Sequence, residues 1–165
     1  MAVRDIVLYP DPILKTVCPP VTVFDETVDQ LVQDLLDTMI AAGHSVGVAA
    51  PQIGACHRVV VVDVSHSKLG SREKNHGQLV LVNPQILQRE GELSFREGCM
   101  SVPDYTGNVT RAECVVVQFL DRQGKERVIR ACGFEAVAIQ HELDHLDGLL
   151  FLDRVSSLKT DVFRR

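Results

Sequence analysis

The apolar positions near the start of the chain follow a helical period. Between residues 24 and 43 they fall three and four positions apart on one stripe: Val28, Leu31, Val32, Leu35, Leu36, Met39 and Ile40. This spacing is typical of an amphipathic helix that buries one face. Asp25 is a suitable N-cap residue and Gly43 a suitable end. The pattern therefore predicts one helix between these two residues.

The middle of the chain has the β-branched content that is typical of strands. The segments are residues 58–64, 78–84 and 113–121, and a stretch that follows a turn at Gln123 and Gly124. Polar residues dominate the segment 65–78, which predicts a surface loop. The segment 10–21 contains four prolines and predicts irregular structure instead of a helix.

A second helical period begins at Phe134. One stripe contains Phe134, Val137, Ala138, His141 and His145. Both histidines therefore continue the buried face of the helix. Strands in the middle and helices toward both ends predict an α+β fold. We expect residues 1–165 to form a single domain, with mostly antiparallel strands packed around this C-terminal helix.

Composition excludes several classes of function. The net charge is −5 and no basic stretch stands out, which argues against a specific nucleic-acid site. No window approaches 18 consecutive apolar residues, so no membrane span is expected. The first residues lack the apolar core of a signal peptide, which favours a cytoplasmic location. The five cysteines are then expected to be mostly reduced thiols, without a disulfide framework.

The second helix contains an H-E-x-x-H pattern formed by His141, Glu142 and His145. Residues i and i+4 of a helix can bring two imidazole nitrogens to one metal ion, and the glutamate can take a proton from water. The alternative is two core histidines hydrogen-bonded to the backbone. A chance match is expected in roughly one such chain in a hundred, which favours a metal site.

The third ligand of such a site is not set by this pattern. A zinc-protease arrangement would place a histidine where Phe151 stands, and no glutamate follows Glu142. Asp153 and Asp161 stay open, although no pattern supports either. The best upstream candidate is Cys99, because a thiolate is a good ligand for a borderline or soft divalent ion. The alternative for Cys99 is a small buried apolar residue.

The segment 45–54 is small, apolar and turn-prone, and contains one amide, Gln52. It could be a tightly packed loop. It could also line a substrate groove and supply an amide that donates a hydrogen bond to a developing oxyanion. The residues alone leave both interpretations open.

Taken together, three segments resemble motifs of the peptide deformylase family. That family carries G-x-G-x-A-A-x-Q, E-G-C-L-S and Q-H-E-x-D-H-x-x-G in this order. The corresponding segments here are residues 45–52, 97–101 and 140–148. Ser45 replaces the opening glycine and Met100 the leucine, whereas the third motif is complete. The resemblance covers nearly the whole chain.

The resemblance implies hydrolysis of the N-formyl group from the initiator N-formylmethionine of new polypeptides, with release of formate. It implies that Cys99, His141 and His145 bind one divalent metal ion, with a water in the fourth position. Glu142 would be the general base and later protonate the leaving amine. The implied metal in vivo is Fe²⁺, with Zn²⁺, Ni²⁺ or Co²⁺ as substitutes.

The resemblance also implies the groups around the reacting carbonyl. The side-chain amide of Gln52 and the backbone N–H of Met100 would hold the oxyanion. Gly47 keeps its place in the groove. Ser45 adds a side chain where the family has none. Of the features implied by the resemblance, the backbone conformation at this position is therefore the least secure.

The methionine side chain of the substrate is expected to enter an apolar pocket. Its predicted wall consists of Val46, Phe95, Phe134, Val137 and Ala138, for which ordinary core is the alternative. Asp144 and Arg111 are predicted to fix the orientation of the metal ligands from outside. The alternative for this pair is a solvated ion pair at the surface.

Two other functions are compatible with parts of the sequence. A metallopeptidase would share the water chemistry, but the downstream ligand is absent. A protein that binds formylated or nascent chains without turnover would not need Glu142, Cys99 and Gln52.

The expected partners are N-formylmethionyl peptides and the ribosome. Some deformylases use a C-terminal helix to meet the ribosome, and the last twelve residues here include four basic ones: Arg154, Lys159, Arg164 and Arg165. The alternative for this tail is a frayed, solvated end.

Overall fold

The computed structural model describes residues 2–165. Within them lie two α-helices, α1 (Glu26–Ala42) and α2 (Phe134–Leu146). The strands are β1 (Gly47–Ala49), β2 (Val59–Val62), β3 (Leu79–Glu90), β4 (Leu93–Cys99), β5 (Val102–Arg111), β6 (Cys114–Leu120), β7 (Glu126–Cys132) and β8 (Val162–Arg164). Short 3-10 turns cover Pro12–Lys15, Ala50–Ile53, Gly70–Arg72 and Phe151–Asp153. None of the described helices is long and apolar enough to span a membrane.

The strands form two sheets in which every pairing is antiparallel. One sheet has the order β1-β2-β3-β6-β7, and the other has the order β4-β5-β8. The predicted α+β class and the predominance of antiparallel strands are confirmed. Within the described residues β1 and β4 each pair with one neighbour only, so each is an edge strand.

Strand β2 explains how the two helices pack. Its four valines are all fully buried. Val59 and Val61 lie in the cluster that contains the apolar face of α1, and Val60 and Val62 lie in the cluster that contains α2. Because successive side chains of a strand point to opposite faces, the sheet separates the two helices. Burial on both faces also explains why this strand is a continuous apolar run.

Helix α1 follows the predicted pattern with one exception. The side chain of Asp25 accepts hydrogen bonds from the backbone N–H groups of Thr27 and Val28, and Gly43 ends the helix with a φ of 75°. The apolar stripe is buried or half-buried except at Ile40, which is 67% exposed. The placement of Ile40 on the buried face was therefore wrong. Met39 in the same turn is buried, but at 100° per residue Ile40 lies about 140° around the helix from Leu35, at the edge of the stripe.

Strands β1, β4, β5 and β8 were not predicted. The segments of β4 and β5 contain charged residues, glycine and proline, which have low strand propensity. The C-terminal tail is neither a helix nor a frayed end, because β8 pairs with β5 along residues 105–107. The proline-rich lead-in contains one 3-10 turn that begins at Pro12, where the missing N–H costs no hydrogen bond.

The cysteines were expected to be mostly reduced thiols without a disulfide framework, and one pair is an exception. Cys114 and Cys132 are linked by a disulfide. They lie directly opposite each other in the register of β6 and β7. The remaining three cysteines, Cys18, Cys56 and Cys99, are free thiols, as expected.

Candidate metal centre and active site

A cavity of about 610 Å³ lies beside α2 and is bordered by β1 and β4. Strand β4 contributes residues 95–99 to its wall, and α2 contributes Phe134, Val137, Ala138, His141 and Glu142. All five residues predicted to form the methionine pocket line this cavity. Strand β4 therefore brings the second motif (residues 97–101) to α2, and β1 brings the first motif (residues 45–52) there. Helix α2 itself carries the H-E-x-x-H pattern of the third motif.

Cys99 and His141 line this cavity, and His145 converges with both. Their candidate ligand atoms all lie within 4.8 Å of one another. Sγ of Cys99 is 3.5 Å from Nε2 of His145. Cys99 ends β4, while one turn of α2 separates the two histidines. A thiolate and two imidazoles are a suitable set for a divalent transition metal that keeps a fourth position open.

The two downstream aspartates are engaged elsewhere. Asp153 forms an ion pair with Lys15 and accepts a hydrogen bond from the backbone N–H of Leu150. The carboxylate of Asp161 accepts a hydrogen bond from the backbone N–H of Ser157. Neither belongs to the cluster of candidate ligands. The upstream cysteine is thus the residue that joins the histidines.

The protonation of the two histidines also fits a cation site. Burial acts to lower the pKa of His141, but hydrogen bonds to Cys99 and Glu97 outweigh it and hold this pKa well above 6.5. Burial, followed by the neighbouring charge of His141, holds the pKa of His145 well below 6.5. His145 is therefore neutral and able to act as a ligand. The space between Cys99 and His141 attracts positive charge, which a metal ion can supply instead of a proton.

Glu142 lies beside these ligands with an oxygen that no described group satisfies. Its side chain is buried, and Oε1 has no hydrogen-bond partner. Burial raises the pKa of Glu142 to about 7. A carboxylate with this pKa can accept a proton and return it near neutral pH.

The close approach of β1 to Glu142 requires a glycine. A Cβ atom added at Gly47 would lie 2.8 Å from both Cγ and Oε2 of Glu142. Ser45, two positions earlier, does not need the conformational freedom of glycine, because Asn83 is the one non-glycine residue with positive φ in residues 2–165. Oγ of Ser45 donates a hydrogen bond to the carbonyl of Gly47 at 3.0 Å.

The amide of Gln52 is fixed in one orientation. Oε1 accepts a hydrogen bond from the backbone N–H of Ala49 at 3.0 Å. Nε2 donates to Oγ of Ser101 at 3.1 Å and lies 3.4 Å from Sγ of Cys99. The donor end of the amide therefore faces the candidate metal site. Met100 lies in the turn between β4 and β5 and also borders the cavity.

A buried ion-pair network holds His141 from behind. Nδ1 of His141 is 2.8 Å from Oε1 of Glu97. Arg111 donates to both oxygens of Glu97, at 2.6 and 3.0 Å, and to Asp144 at 2.9 Å. Arg111 and Asp144 are thus buried, and the alternative of a solvated surface pair is wrong. Asp144 also accepts hydrogen bonds from Arg154.

Sequence reasoning missed Glu97 and Ser101, although both lie in the second motif. Glu97 is two residues before Cys99 on one strand, so both side chains point to the same face. The alternation of side chains along a strand would therefore have identified Glu97 as a neighbour of the candidate ligand Cys99. Ser101 is fully buried, but nothing in its local pattern indicates a hydrogen bond to Gln52.

The apolar side of the cavity differs from ordinary core. Val46, Phe95 and Phe134 are only half-buried, whereas Val137 and Ala138 are 3% and 4% exposed. The ring centroids of Phe95 and Phe134 are 5.8 Å apart. The three half-buried side chains leave apolar surface open to a ligand.

The family model described as polypeptide deformylase matches residues 3–161. The peptide deformylase of Thermodesulfovibrio yellowstonii is 42% identical over 165 residues, which is 100% of this chain and 96% of that protein. Peptide deformylase 1 of Bacillus subtilis is 44% identical over 161 residues, which is 98% of this chain and 95% of that protein.

Solved structures of peptide deformylases are also similar to this chain. A crystal structure of a peptide deformylase from Legionella pneumophila is similar with a TM-score of 0.85 and 44% identity, over 96% of this chain and 89% of that one. The Met-Ala-Ser-bound crystal structure of a class I type b peptide deformylase from Acinetobacter baumannii has a TM-score of 0.87 and 35% identity. That match covers 93% of this chain and 99% of the other.

Proposed function

The chain belongs to the peptide deformylase family, and we propose that it removes the N-formyl group from N-formylmethionyl peptides at the cavity beside α2. The observation that carries this assignment is the convergence of Cys99, His141 and His145 next to Glu142. We propose that residues 1–165 act as one catalytic domain in the cytoplasm.

The proposed metal ligands are Cys99, His141 and His145. The thiolate and the two imidazoles suit Fe²⁺, which we propose as the metal in vivo, and they equally accept Zn²⁺, Ni²⁺ or Co²⁺. When bound, such an ion polarises a carbonyl oxygen and lowers the pKa of water. Arg111 and Asp144 contribute through Glu97, because this carboxylate fixes the ring of His141.

Glu142 is the proposed general base and acid. It accepts a proton from the attacking water and delivers that proton to the nitrogen of the leaving amine. A pKa of about 7 suits both directions of transfer. Gly47 supports this role because it leaves the space that the Glu142 side chain occupies.

The proposed oxyanion donors are Nε2 of Gln52 and the backbone N–H of Met100. Charge develops on the carbonyl oxygen in the transition state, and fixed donors stabilise it more than they stabilise the substrate. Gln52 is held on two sides, by Ala49 and Ser101, so little reorganisation is required. Met100 acts through its backbone, so its difference from leucine has little consequence.

We propose that the peptide lies as an added strand between β1 and β4. Both are edge strands among the described residues, and both border the cavity. Backbone hydrogen bonds would then hold the peptide regardless of its sequence. The methionine side chain would contact Val46, Phe95 and Phe134. A formyl carbon carries only hydrogen, so a narrow site admits it and resists larger acyl groups.

The encounter with the ribosome stays a prediction. Some deformylases use a C-terminal helix to meet the ribosome, whereas residues 162–164 of this chain form a strand, β8. Of the four basic residues near the C-terminus, Arg154 pairs with Asp144 and Arg165 borders the cavity. Lys159 and Arg164 are exposed and are the residues that such an encounter would use.

The assignment is tested with protein purified without oxygen and three peptides. Formyl-Met-Ala-Ser should release formate, whereas acetyl-Met-Ala-Ser should release little acetate. A peptide without a formyl group should not be cleaved internally. Internal cleavage would identify a metallopeptidase, and tight binding of the formyl peptide without formate release would identify a binding protein.

A further inference from the structure

Two exposed arginines, Arg96 and Arg165, border the active-site cavity. The guanidinium carbon of Arg96 lies 3.7 Å from the centroid of the Phe163 ring. Nε of Arg165 donates to the carbonyl of Pro103 at 2.8 Å. The guanidinium of Arg165 would lie 3.2–3.4 Å from a Cβ added at Gly98, so it covers the backbone of β4. Strand β8 and the residue after it therefore hold both cations over β4.

Strand parity places this pair at the rim of the cavity. Arg96 and Gly98 alternate along β4 with Phe95, Glu97 and Cys99, so they face away from the metal ligands. Because β4 is an edge strand among the described residues, side chains from both of its faces border the cavity.

Neither guanidinium group of this rim forms an ion pair with a side-chain carboxylate in residues 2–165. Two carboxylates line the same cavity, but Glu97 is engaged by Arg111 and His141, and Glu142 is buried. Arg165 is the last residue of this sequence and also carries an α-carboxylate, so Arg96 and Arg165 together contribute one net positive charge at the cavity. In a protein of net charge −5, the two guanidinium groups still form a local cationic patch.

Resting on the proposed function, we propose that Arg96 and Arg165 select formylated chains that carry an acidic side chain at the second or third residue. A strand advances about 3.3 Å per residue. Arg96 is three residues from Cys99 along β4, which is about 10 Å. A peptide that runs along β4 with its formyl group at the metal site places its methionine beside Gly98, its second residue beside Glu97 and its third residue beside Arg96. Guanidinium groups bind carboxylates with charge-assisted hydrogen bonds.

The test compares kcat/KM for five peptides: formyl-Met-Ala-Ser, formyl-Met-Ala-Glu, formyl-Met-Ala-Lys, formyl-Met-Glu-Ala and formyl-Met-Lys-Ala. We expect the glutamate peptides to exceed the serine peptide by roughly three- to tenfold at low salt, because the contacts are partly exposed. The lysine peptides should be the poorest substrates. High salt should reduce these differences.

Variants identify the residues responsible. In the double variant Arg96→Gln/Arg165→Gln the preference for glutamate should disappear. In Arg96→Glu/Arg165→Glu it should reverse in favour of lysine, a gain that misfolding cannot produce. Arg164→Gln is the matched control, because Arg164 points to the other face of β8 and should leave the preference intact.

Equal kcat/KM for all charged and neutral peptides in the parent would overturn the inference, as would a preference that survives in the double variants. Absence of turnover with every formyl peptide would instead overturn the proposed function, and this inference with it. The two failures are thus distinguishable in one set of measurements.

Discussion

Oε1 of Glu97 accepts a hydrogen bond from Nδ1 of His141 at 2.8 Å. With Nδ1 committed to this carboxylate, the other ring nitrogen of His141 is directed to the ligand cluster. Arg111 binds both oxygens of the same carboxylate and prevents its rotation. The orientation of one proposed metal ligand thus depends on Glu97, which is not itself one of the three candidate ligands.

The variant Glu97→Gln should therefore bind metal more weakly. The amide carries no charge and cannot pair with both His141 and Arg111, so we expect a tenfold to hundredfold loss of metal affinity. Competition with a chromophoric chelator measures this loss directly. Glu126→Gln, an exposed glutamate on β7, is the control and should bind as the parent does. Unchanged affinity in Glu97→Gln would contradict the role given to this contact.

The variant Gly47→Ala should lose activity while it keeps its metal. The new Cβ would lie 2.8 Å from Cγ and Oε2 of Glu142, so the glutamate must move. A displacement of Glu142, the proposed general base, is expected to lower kcat by about a hundredfold. Gly54→Ala is a useful comparison, because no described atom lies within 4 Å of its added Cβ. Its positive φ should cost stability without a comparable loss of kcat. Equal effects of the two substitutions on kcat would count against the contact.

The variant Phe95→Ala should weaken the selection of methionine. Phe95 is half-buried and packs beside Phe134 at one wall of the cavity. Loss of this apolar surface should lower kcat/KM for formyl-Met-Ala-Ser by about tenfold, and affect formyl-Ala-Ala-Ser less. The ratio of the two specificity constants is the measurement. A ratio equal to that of the parent would exclude Phe95 from the methionine pocket.

Acid stability should depend on Asp34, which lies far from the metal centre in the sequence. Burial acts to raise the pKa of Asp34, but hydrogen bonds from Gln30, Ala2 and Arg4 outweigh it and lower this pKa below 3.8. A carboxylate with a depressed folded-state pKa stabilises the fold above its unfolded pKa of about 3.9. That contribution is lost as the pH falls through the lower, folded-state pKa.

Asp34→Asn should accordingly be destabilised by about 1–2 kcal/mol at pH 6, and the difference from the parent should shrink below about pH 4. Urea denaturation at several pH values gives the free energy of unfolding needed for this comparison. Asp104→Asn, an exposed position, should show no such difference. A difference for Asp34→Asn that stays constant down to pH 3 would rule out the ionised carboxylate as its source.

Periodicity predicted the parts of the fold that are built around a buried face. Helix α1 was predicted with both of its caps, since one stripe packs on the sheet and Asp25 and Gly43 satisfy its ends. Strand β2 was predicted because both of its faces are buried. Ile40 shows the limit of the method, because a periodic position does not reveal how far a partner surface extends.

Periodicity failed where the chain forms the active site. Strand β4 carries Arg96, Glu97 and Gly98 because its side chains serve the metal ligands and the rim, and not a hydrophobic core. Its partner β5 and the late strand β8 are defined by pairing between residues distant in sequence. No local pattern encodes such pairings. The disulfide between Cys114 and Cys132 likewise follows from the register of two strands.

The candidate site itself was largely predictable, because chemistry constrains residue type more than packing does. The H-E-x-x-H pattern identified His141 and His145, and the resemblance favoured Cys99 and Gln52, for which the residues alone had left two interpretations open. Cys99, Gln52 and His141 line one cavity, and His145 lies in the same cluster of candidate ligands. What the sequence did not reveal is the support behind them: Glu97, and the burial of Arg111 and Asp144. Buried charges resemble surface charges in a sequence, and only their contacts distinguish the two.

The most direct test of this account is formate release by the variant Glu142→Gln, measured beside the parent with formyl-Met-Ala-Ser and with the bound metal quantified. The parent should turn over with one metal ion per chain. The variant keeps the shape of the side chain and all three proposed ligands, so it should hold the same metal and lose roughly 10²–10⁴-fold in kcat. Formate release by Glu142→Gln at the rate of the parent would contradict the account.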